Sequence, residues 1–201
     1  MTHRQSIASF AGWTALCLLL VLPLLAAACG KKEPDTAGTA QGGAFETILE
    51  AEDGAVEAPM EVRLDDGAYA DEMLRASDGK FVLLPDKVGK GEEVGGKVKL
   101  TFTVDSPVKC MLWARVNWLD GCGNSFYLSV DGGPKLTFGD DGTYKHWQWV
   151  TIRGAEGVFR LGKGSHTVEF LNREDGAALD QVFITTNLDD QAQPQGILLP
   201  N

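Results

Sequence analysis

Cations, cysteine and histidine are all scarce in this chain, and each shortage closes a class of function. Lysine and arginine number 18 against 28 aspartates and glutamates, for a net charge of −10. No basic cluster stands in the body of the sequence, and binding to a phosphate backbone needs one, so nucleic acid is not expected as a partner. Four cysteines are present. Cys17 and Cys29 belong to the N-terminal segment, which leaves Cys110 and Cys122 for the body. These two fall early in a strand and in the turn after it, several residues out of register for a disulfide. Cys110 is expected instead to pack as a small apolar residue. His3, His146 and His166 are isolated from one another and make neither a triad nor a zinc site. Gly-x-Ser-x-Gly, His-Glu-x-x-His and phosphate-loop motifs are missing. Most acidic residues sit in turns, where solvated carboxylates are the default and a glycosidase pair is not evident. No enzyme is expected, and no apolar stripe of helical period occurs.

What is present begins with an export signal. Arg4 supplies a basic start, and residues 15–25 form an apolar run broken by Pro23. That run is too short for a comfortable membrane span. Ala26, Ala27 and Ala28 then precede Cys29, the order of a secretory signal. Residues 1–28 read as that signal. Residues 29–44 are small, polar and glycine-rich, as in a flexible tether. Residues 45–188 suit one domain with a proper core, and residues 189–201 read as a polar C-terminal tail.

Inside the domain, strands recur about every ten residues with glycine turns between them. Val98, Leu100, Phe102 and Val104 alternate inward. Residues 108–118 place Cys110, Leu112, Ala114 and Val116 on one face and Met111, Trp113, Arg115 and Asn117 on the other. Residues 125–130 read as the hairpin partner of that strand, and residues 144–152 carry Trp147 and Trp149 on one face. Residues 45–52 read as a first strand in which Glu50 and Glu52, two apart, point the same way. Like charges side by side are costly unless a cation bridges them or one faces water. Asp180 stands inside the final strand, where a carboxylate is costly to bury unless a cation or several donors meet it. The whole predicts an all-β fold, a jelly-roll sandwich of two antiparallel sheets.

The ordered set E-A-E (50–52), A-S-D-G-K-F-V (76–82), L-W-A-R-V (112–116), G-N-S-F-Y-L-S-V-D-G (123–132), W-Q-W (147–149), L-G-K-G-S-H-T-V-E-F (161–170) and R-E-D-G-A-A-L-D-Q-V (173–182) resembles the galactose-binding-like β-sandwiches. Within them it resembles carbohydrate-binding modules of families 6 and 35, over residues 45–187. The resemblance implies a structural calcium ion held by Glu50, Glu52 and Asp180, a donor set that also suits a hard cation. It implies a sugar cleft on the loop rim, where aromatic rings stack on pyranose faces. Trp147 matches the rim tryptophan, with Phe81, Tyr69 and Trp118 as further rings. Ala178 stands where family 6 modules often carry a sugar-binding Asn, so the polar role would pass to Asn124, Asn172, Glu174 or Asp175. Separately, Cys29 after small residues resembles a bacterial lipobox, with Ala26 in place of the usual Leu. That implies acylation of Cys29 and anchorage in the cell envelope. Gly30 in place of Asp favours the outer membrane if the source is Gram-negative. The expectation is a monomeric surface lipoprotein that binds a polysaccharide or glycan without catalysis. A structural or adhesion module of the envelope with no sugar ligand is the alternative.

Overall fold

The computed structural model describes residues 44–66, 75–139 and 142–199, and these carry twelve strands and three short 3-10 turns without an α-helix. Cys29 and Tyr69 lie outside the described residues, as does the N-terminal signal. No helix among the described residues is long and apolar enough to cross a membrane. The strands are β1 Glu46–Glu50, β2 Ala55–Glu57, β3 Glu61–Leu64, β4 Lys80–Leu83, β5 Lys97–Val104, β6 Val108–Trp118, β7 Ser125–Val130, β8 Leu136–Gly139, β9 Gln148–Thr151, β10 Phe159–Leu161, β11 Gly164–Asn172 and β12 Ala177–Thr185.

Two antiparallel sheets form the sandwich. The smaller runs β2-β5-β11-β7-β8. The larger runs β10-β6-β12-β4-β3, with β1 also on β12 and β9 also on β6. The all-β class and the two antiparallel sheets expected from the strand spacing are thus observed. β6 and β12 are the long central strands of the larger sheet. They pair with each other over most of their length, and each has two short strands sharing its other edge. A strand flanked on both edges and covered on both faces reads as a nearly continuous apolar run, which is how Leu179–Ile184 reads. The pairing of β7 differs from the expectation. It does not return against β6 but crosses to the smaller sheet, between β11 and β8. The segment 119–124 turns the chain from one sheet to the other.

Between the sheets, Val98, Leu100, Phe102 and Val104 of β5 meet Cys110, Leu112, Ala114, Val116 and Trp118 of β6, with Phe126, Phe138 and Phe170 filling one end. The alternation of β5, β6 and β11 therefore sets which face is core. Each valine, leucine and phenylalanine among them stabilises by about 1.5–3 kcal/mol through burial. Cys110 is buried and Cys122 exposed, and both thiols are free.

The outer face of the larger sheet is also covered. Phe81, Leu83, Trp147, Ala178 and Ala76 make one cluster there. Met111, Trp113 and Trp149 make another, with Phe183 and Leu198 packed on it. Leu198 comes from the C-terminal segment. That segment is not a loose tail but lies back along the sheet, with Trp149 Nε1 donating to the Gly196 carbonyl at 2.8 Å and Gln193 Nε2 to the Trp149 carbonyl at 2.9 Å.

Candidate functional site

The site begins with a break in the register of β12. Ala178 and Leu179 pair with Asn117 and Val116, and pairing resumes at Val182 with Ala114. Two residues, Asp180 and Gln181, therefore oppose the single Arg115. Such a bulge re-aims side chains and is common near functional sites. It explains how Leu179 and Val182, three apart, both enter the core. It also leaves Asp180 and Gln181 turned toward Arg115 and the first strand.

Asp180 is wholly buried. The Arg115 guanidinium, itself 1 % exposed, forms a short ion pair with Asp180 Oδ2, and the Ser77 N–H donates to Oδ1 at 2.9 Å. Burial pushes the Asp180 carboxyl upward, and the Arg115 charge and hydrogen bond pull it back. The cation that meets Asp180 is thus a guanidinium. Alternation along β6 puts Arg115 on the outer face but does not mark it as the partner of Asp180.

Glu50 and Glu52 sit beside this pair, with one correction. They do not share a strand face, because β1 ends at Glu50 and Glu52 lies in the 3-10 turn that follows. The turn carries Glu52 back toward the same place, where the Glu50 and Asp180 charges both act on it. Burial, reinforced by those charges, pushes the Glu52 carboxyl up to about 7, and burial raises that of Glu50 as well. Glu50 Oε1 accepts from Gln181 Nε2 at 2.7 Å and from Ser77 Oγ at 3.3 Å. The other oxygens, Glu50 Oε2 and Glu52 Oε2, are buried without any donor. Orphaned acceptors of this kind are rare in native folds, and two that repel each other fit a cation between them. Among the described residues, no group of three or more His, Cys, Asp or Glu side chains is placed to hold a metal ion, and both Asp180 oxygens are taken by Ser77 and Arg115, which corrects Asp180 as an expected ligand.

The expected stacking rings are placed together but not exposed. Phe81 and Trp147 pack edge to face with centroids 5.5 Å apart, and each is only 2 % exposed. Neither offers an open face to a pyranose in this structure. Arg115 lies over the Trp147 ring at 5.2 Å, so one guanidinium links the aromatic pair to Asp180. Trp147 Nε1 and Arg115 Nη2 are buried and have no hydrogen-bond partner. Trp118 is corrected outright. It points between the sheets, fully buried against Phe126, because the alternation of β6 carries through its last residue.

The polar candidates serve the loops. Asn172, 1 % exposed, accepts from the Gly91 N–H and donates to the Gly89 carbonyl, both at 3.3 Å. Asp175 accepts from the Gly89 N–H at 3.2 Å. Together they fasten the 87–96 loop to the end of β11. Glu174 accepts from the Asn124 N–H at 3.3 Å and from Ser125 Oγ, and pairs with Arg173 at 3.2 Å. Asn124 is itself buried. The Asn172, Glu174 and Asp175 side chains are committed to holding the loops together, which corrects their expected role as sugar-binding groups. Gly123 shows how closely the loops meet, since a Cβ there would come within 2.2 Å of the Asp175 carbonyl oxygen.

No protein-family model matches the chain, and no curated protein matches it in sequence. Solved structures do match in fold. A Podospora anserina GH26-CBM35 β-(1,4)-mannanase aligns with TM-score 0.52 and 13 % identity over 76 % of this chain. An exo-β-1,3-galactanase from Phanerochaete chrysosporium, in complex with β-1,3-galactotriose, aligns at 0.50 and 21 % over 69 %. The match covers only 28 % and 29 % of those enzymes' own chains. A family 35 carbohydrate binding module from Clostridium thermocellum aligns at 0.50 and 16 % over 70 % of this chain, and there the match covers 97 % of the module. In fold, then, this chain is an antiparallel two-sheet β-sandwich similar to that of the family 35 carbohydrate binding module.

Proposed function

We propose that this domain binds glycans without catalysis, at the outer-face site built around Trp147, Phe81 and Arg115. The carrying observation is the pair of buried, unpartnered donors, Trp147 Nε1 and Arg115 Nη2, beside two packed rings. An unmade hydrogen bond at a buried donor costs about 1–3 kcal/mol. An acceptor-rich ligand that reaches those donors recovers that cost, and sugar hydroxyls supply acceptors while the pyranose C–H face suits the indole. The likeness in fold to a family 35 carbohydrate binding module, covered over 97 % of its length, supports the same reading. The ring faces are covered in this structure, so engagement requires a local opening beside Trp147. Such openings belong to the low-stability parts of a fold.

The test is affinity electrophoresis and titration calorimetry of the full chain against β-1,3-galactan and β-1,4-mannan fragments. Trp147→Phe keeps a ring but deletes the donor, and it should weaken binding at least tenfold. Retention of full affinity by Trp147→Phe and by Arg115→Lys sinks this site.

Glu50 and Glu52 would hold a calcium ion, with Asp180 lending charge from behind through its shared neighbours. The two orphaned oxygens support this, and calcium takes carboxylates together with backbone carbonyls and water. The ion's chemistry here is structural, neutralising the acids where the first and last strands meet. Lipid attachment at Cys29 and an envelope location complete the proposal. They rest on the order of residues 26–29, and metabolic labelling with a fatty-acid analogue, lost in Cys29→Ser, tests them.

A further inference from the structure

We propose that this domain pairs with a second copy of itself through β3. The two copies of Glu61–Leu64 lie antiparallel about a two-fold axis at Val62, and the two larger sheets join edge to edge. The pairing is independent of glycan binding and departs from the monomer expected of the sequence.

β3 ends the larger sheet. It pairs with β4 on one side, from Glu61 opposite Leu83 to Leu64 opposite Lys80. Among the described residues, no strand pairs with its other side. The Asp65 N–H donates to the Gly79 carbonyl at 2.9 Å, one step further along the same register. Residues 65 and 79 are therefore a hydrogen-bonded pair, and such pairs alternate with non-bonded ones along an antiparallel ladder. It follows that Glu61 and Arg63 turn their main-chain groups to β4. Val62 turns its N–H and C=O to the open side, where they form a template for another strand.

The side chains divide the same way. β3 is exposed along its whole length, and residues two apart share a face. Val62 and Leu64, 45 % and 70 % exposed, stand on one face. Val62 is opposite Val82, a residue of the core between the sheets, and cross-strand partners share a face. The apolar side of β3 thus carries the core face of the larger sheet out into solvent. Glu61 and Arg63 stand on the other face, both half-exposed and ion-paired with each other at 2.6 Å.

The order Glu61-Val62-Arg63 selects the partner. Turned end for end about Val62, it sets Glu61 against the second copy's Arg63 and Arg63 against the second copy's Glu61. Those are two attractive cross-strand pairs on one face, while Val62 and its twin exchange two main-chain hydrogen bonds. A parallel, in-register pairing would set like charge against like. An interface that maps onto itself in this way is isologous and closes at two copies.

The test is sedimentation velocity and equilibrium of the full chain over a range of concentrations. The proteins are the parent, Glu61→Arg, Arg63→Glu, the swap Glu61→Arg/Arg63→Glu, and an equimolar mixture of the two single variants. Because of the two-fold axis, each single substitution makes both cross-strand pairs repulsive. The expected result is a reversible parent dimer. Each single variant should dissociate at least tenfold more readily while keeping the parent's circular dichroism. The swap should regain the dimer, and so should the mixture, in which one chain brings two arginines and the other two glutamates. A parent that stays monomeric at every concentration overturns the proposal. So does an assembly indifferent to charge at positions 61 and 63, since its contact lies elsewhere on the chain. A dimer weakened in both single variants but regained neither by the swap nor by the mixture overturns the antiparallel pairing about Val62.

Discussion

Trp147 and Trp149 stand two residues apart, on one face of one sheet, and their environments are opposite. Trp149 has its indole N–H bonded to Gly196 and its ring packed with Met111 and Trp113 under the C-terminal segment. Trp147 is buried just as deeply, yet its N–H meets nothing, and its ring is shared between Phe81 and the Arg115 guanidinium. The first arrangement is a clasp in which every polar group is used. The second leaves donors unspent beside an ion pair, the pattern expected where a fold keeps bonding capacity for a ligand. Burial does not distinguish Trp147 from Trp149 but the partner of the indole N–H does, although the core residue Trp118 also has an unpartnered N–H.

The comparison breaks most visibly at Arg115. Arg115→Ala would strand the Asp180 carboxylate in the interior, a loss of about 3–5 kcal/mol when one partner of a buried pair is removed. Urea denaturation should show it as a lower midpoint at unchanged slope. A variant as stable as the parent would mean that water or a cation already compensates Asp180. Next in size is the proposed ion. Calcium at a hundred times its dissociation constant adds about 2.7 kcal/mol to the native state. The melting temperature should therefore rise with calcium, fall with chelator, and stop responding in Glu50→Gln/Glu52→Gln. A melting point indifferent to both additions removes calcium from the account.

The two tryptophans themselves give a finer test. Trp149→Phe loses a made hydrogen bond and leaves the Gly196 carbonyl without its donor, for about 1 kcal/mol. Trp147→Phe deletes a donor that had no partner, so the cost of the lost bond is absent and only the change in packing remains. Equal destabilisation of the two variants in paired melts would mean that the two indole N–H groups do not differ energetically.

The smallest effect concerns pH, at the far side of the sandwich. His166 Nδ1 meets Asp131 Oδ2 at 2.7 Å and its Nε2 meets the Gly162 carbonyl at 2.8 Å. Acceptors on both nitrogens favour the doubly protonated ring. Burial lowers the His166 value, but the Asp131 and Gly162 hydrogen bonds and the Asp131 charge outweigh it, and the net shift is upward from 6.5. Asp131 is lowered from 3.8: burial pushes it up, and the hydrogen bonds from His166 and the Thr167 N–H, with the histidine charge, outweigh that. The folded state therefore holds the histidine proton more tightly than the unfolded chain. This contribution is complete below about pH 6.5 and is lost as pH rises through the folded value. Toward acid it persists until Asp131 is protonated, below 3.8. Stability measured from pH 5 to 8 should decline more gently in His166→Gln than in the parent. Parallel profiles would leave the staple without energetic weight.

How much of this could be read in advance differs between fold and site. Period-two alternation in β5, β6 and β11 is a direct consequence of strand geometry, so the core face and the all-β class were legible from the residues alone. The nearness of Glu50, Glu52 and Asp180 was legible from the resemblance, although the 3-10 turn rather than strand alternation produces it. Arg115 was not legible as the partner of Asp180. It lies 65 positions away, and only the bulge in β12 sets it opposite Asp180 and Gln181. Leucine and valine three apart around L-D-Q-V were the available trace of that bulge, since strict alternation cannot send both inward. Asn124, Asn172 and Glu174 looked free because a loop's hydrogen-bond debts to another loop leave no local pattern.

The sequence by itself determined which residues face the core and that the chain builds sheets, because alternation and turn chemistry are local. Only the tertiary structure decided which carboxylate meets which cation, which indole is satisfied, and that residues 187–199 return along the larger sheet. Each of those outcomes depends on strand order and register between segments far apart in the chain, and a one-residue change in register moves a side chain to the other face of the sheet.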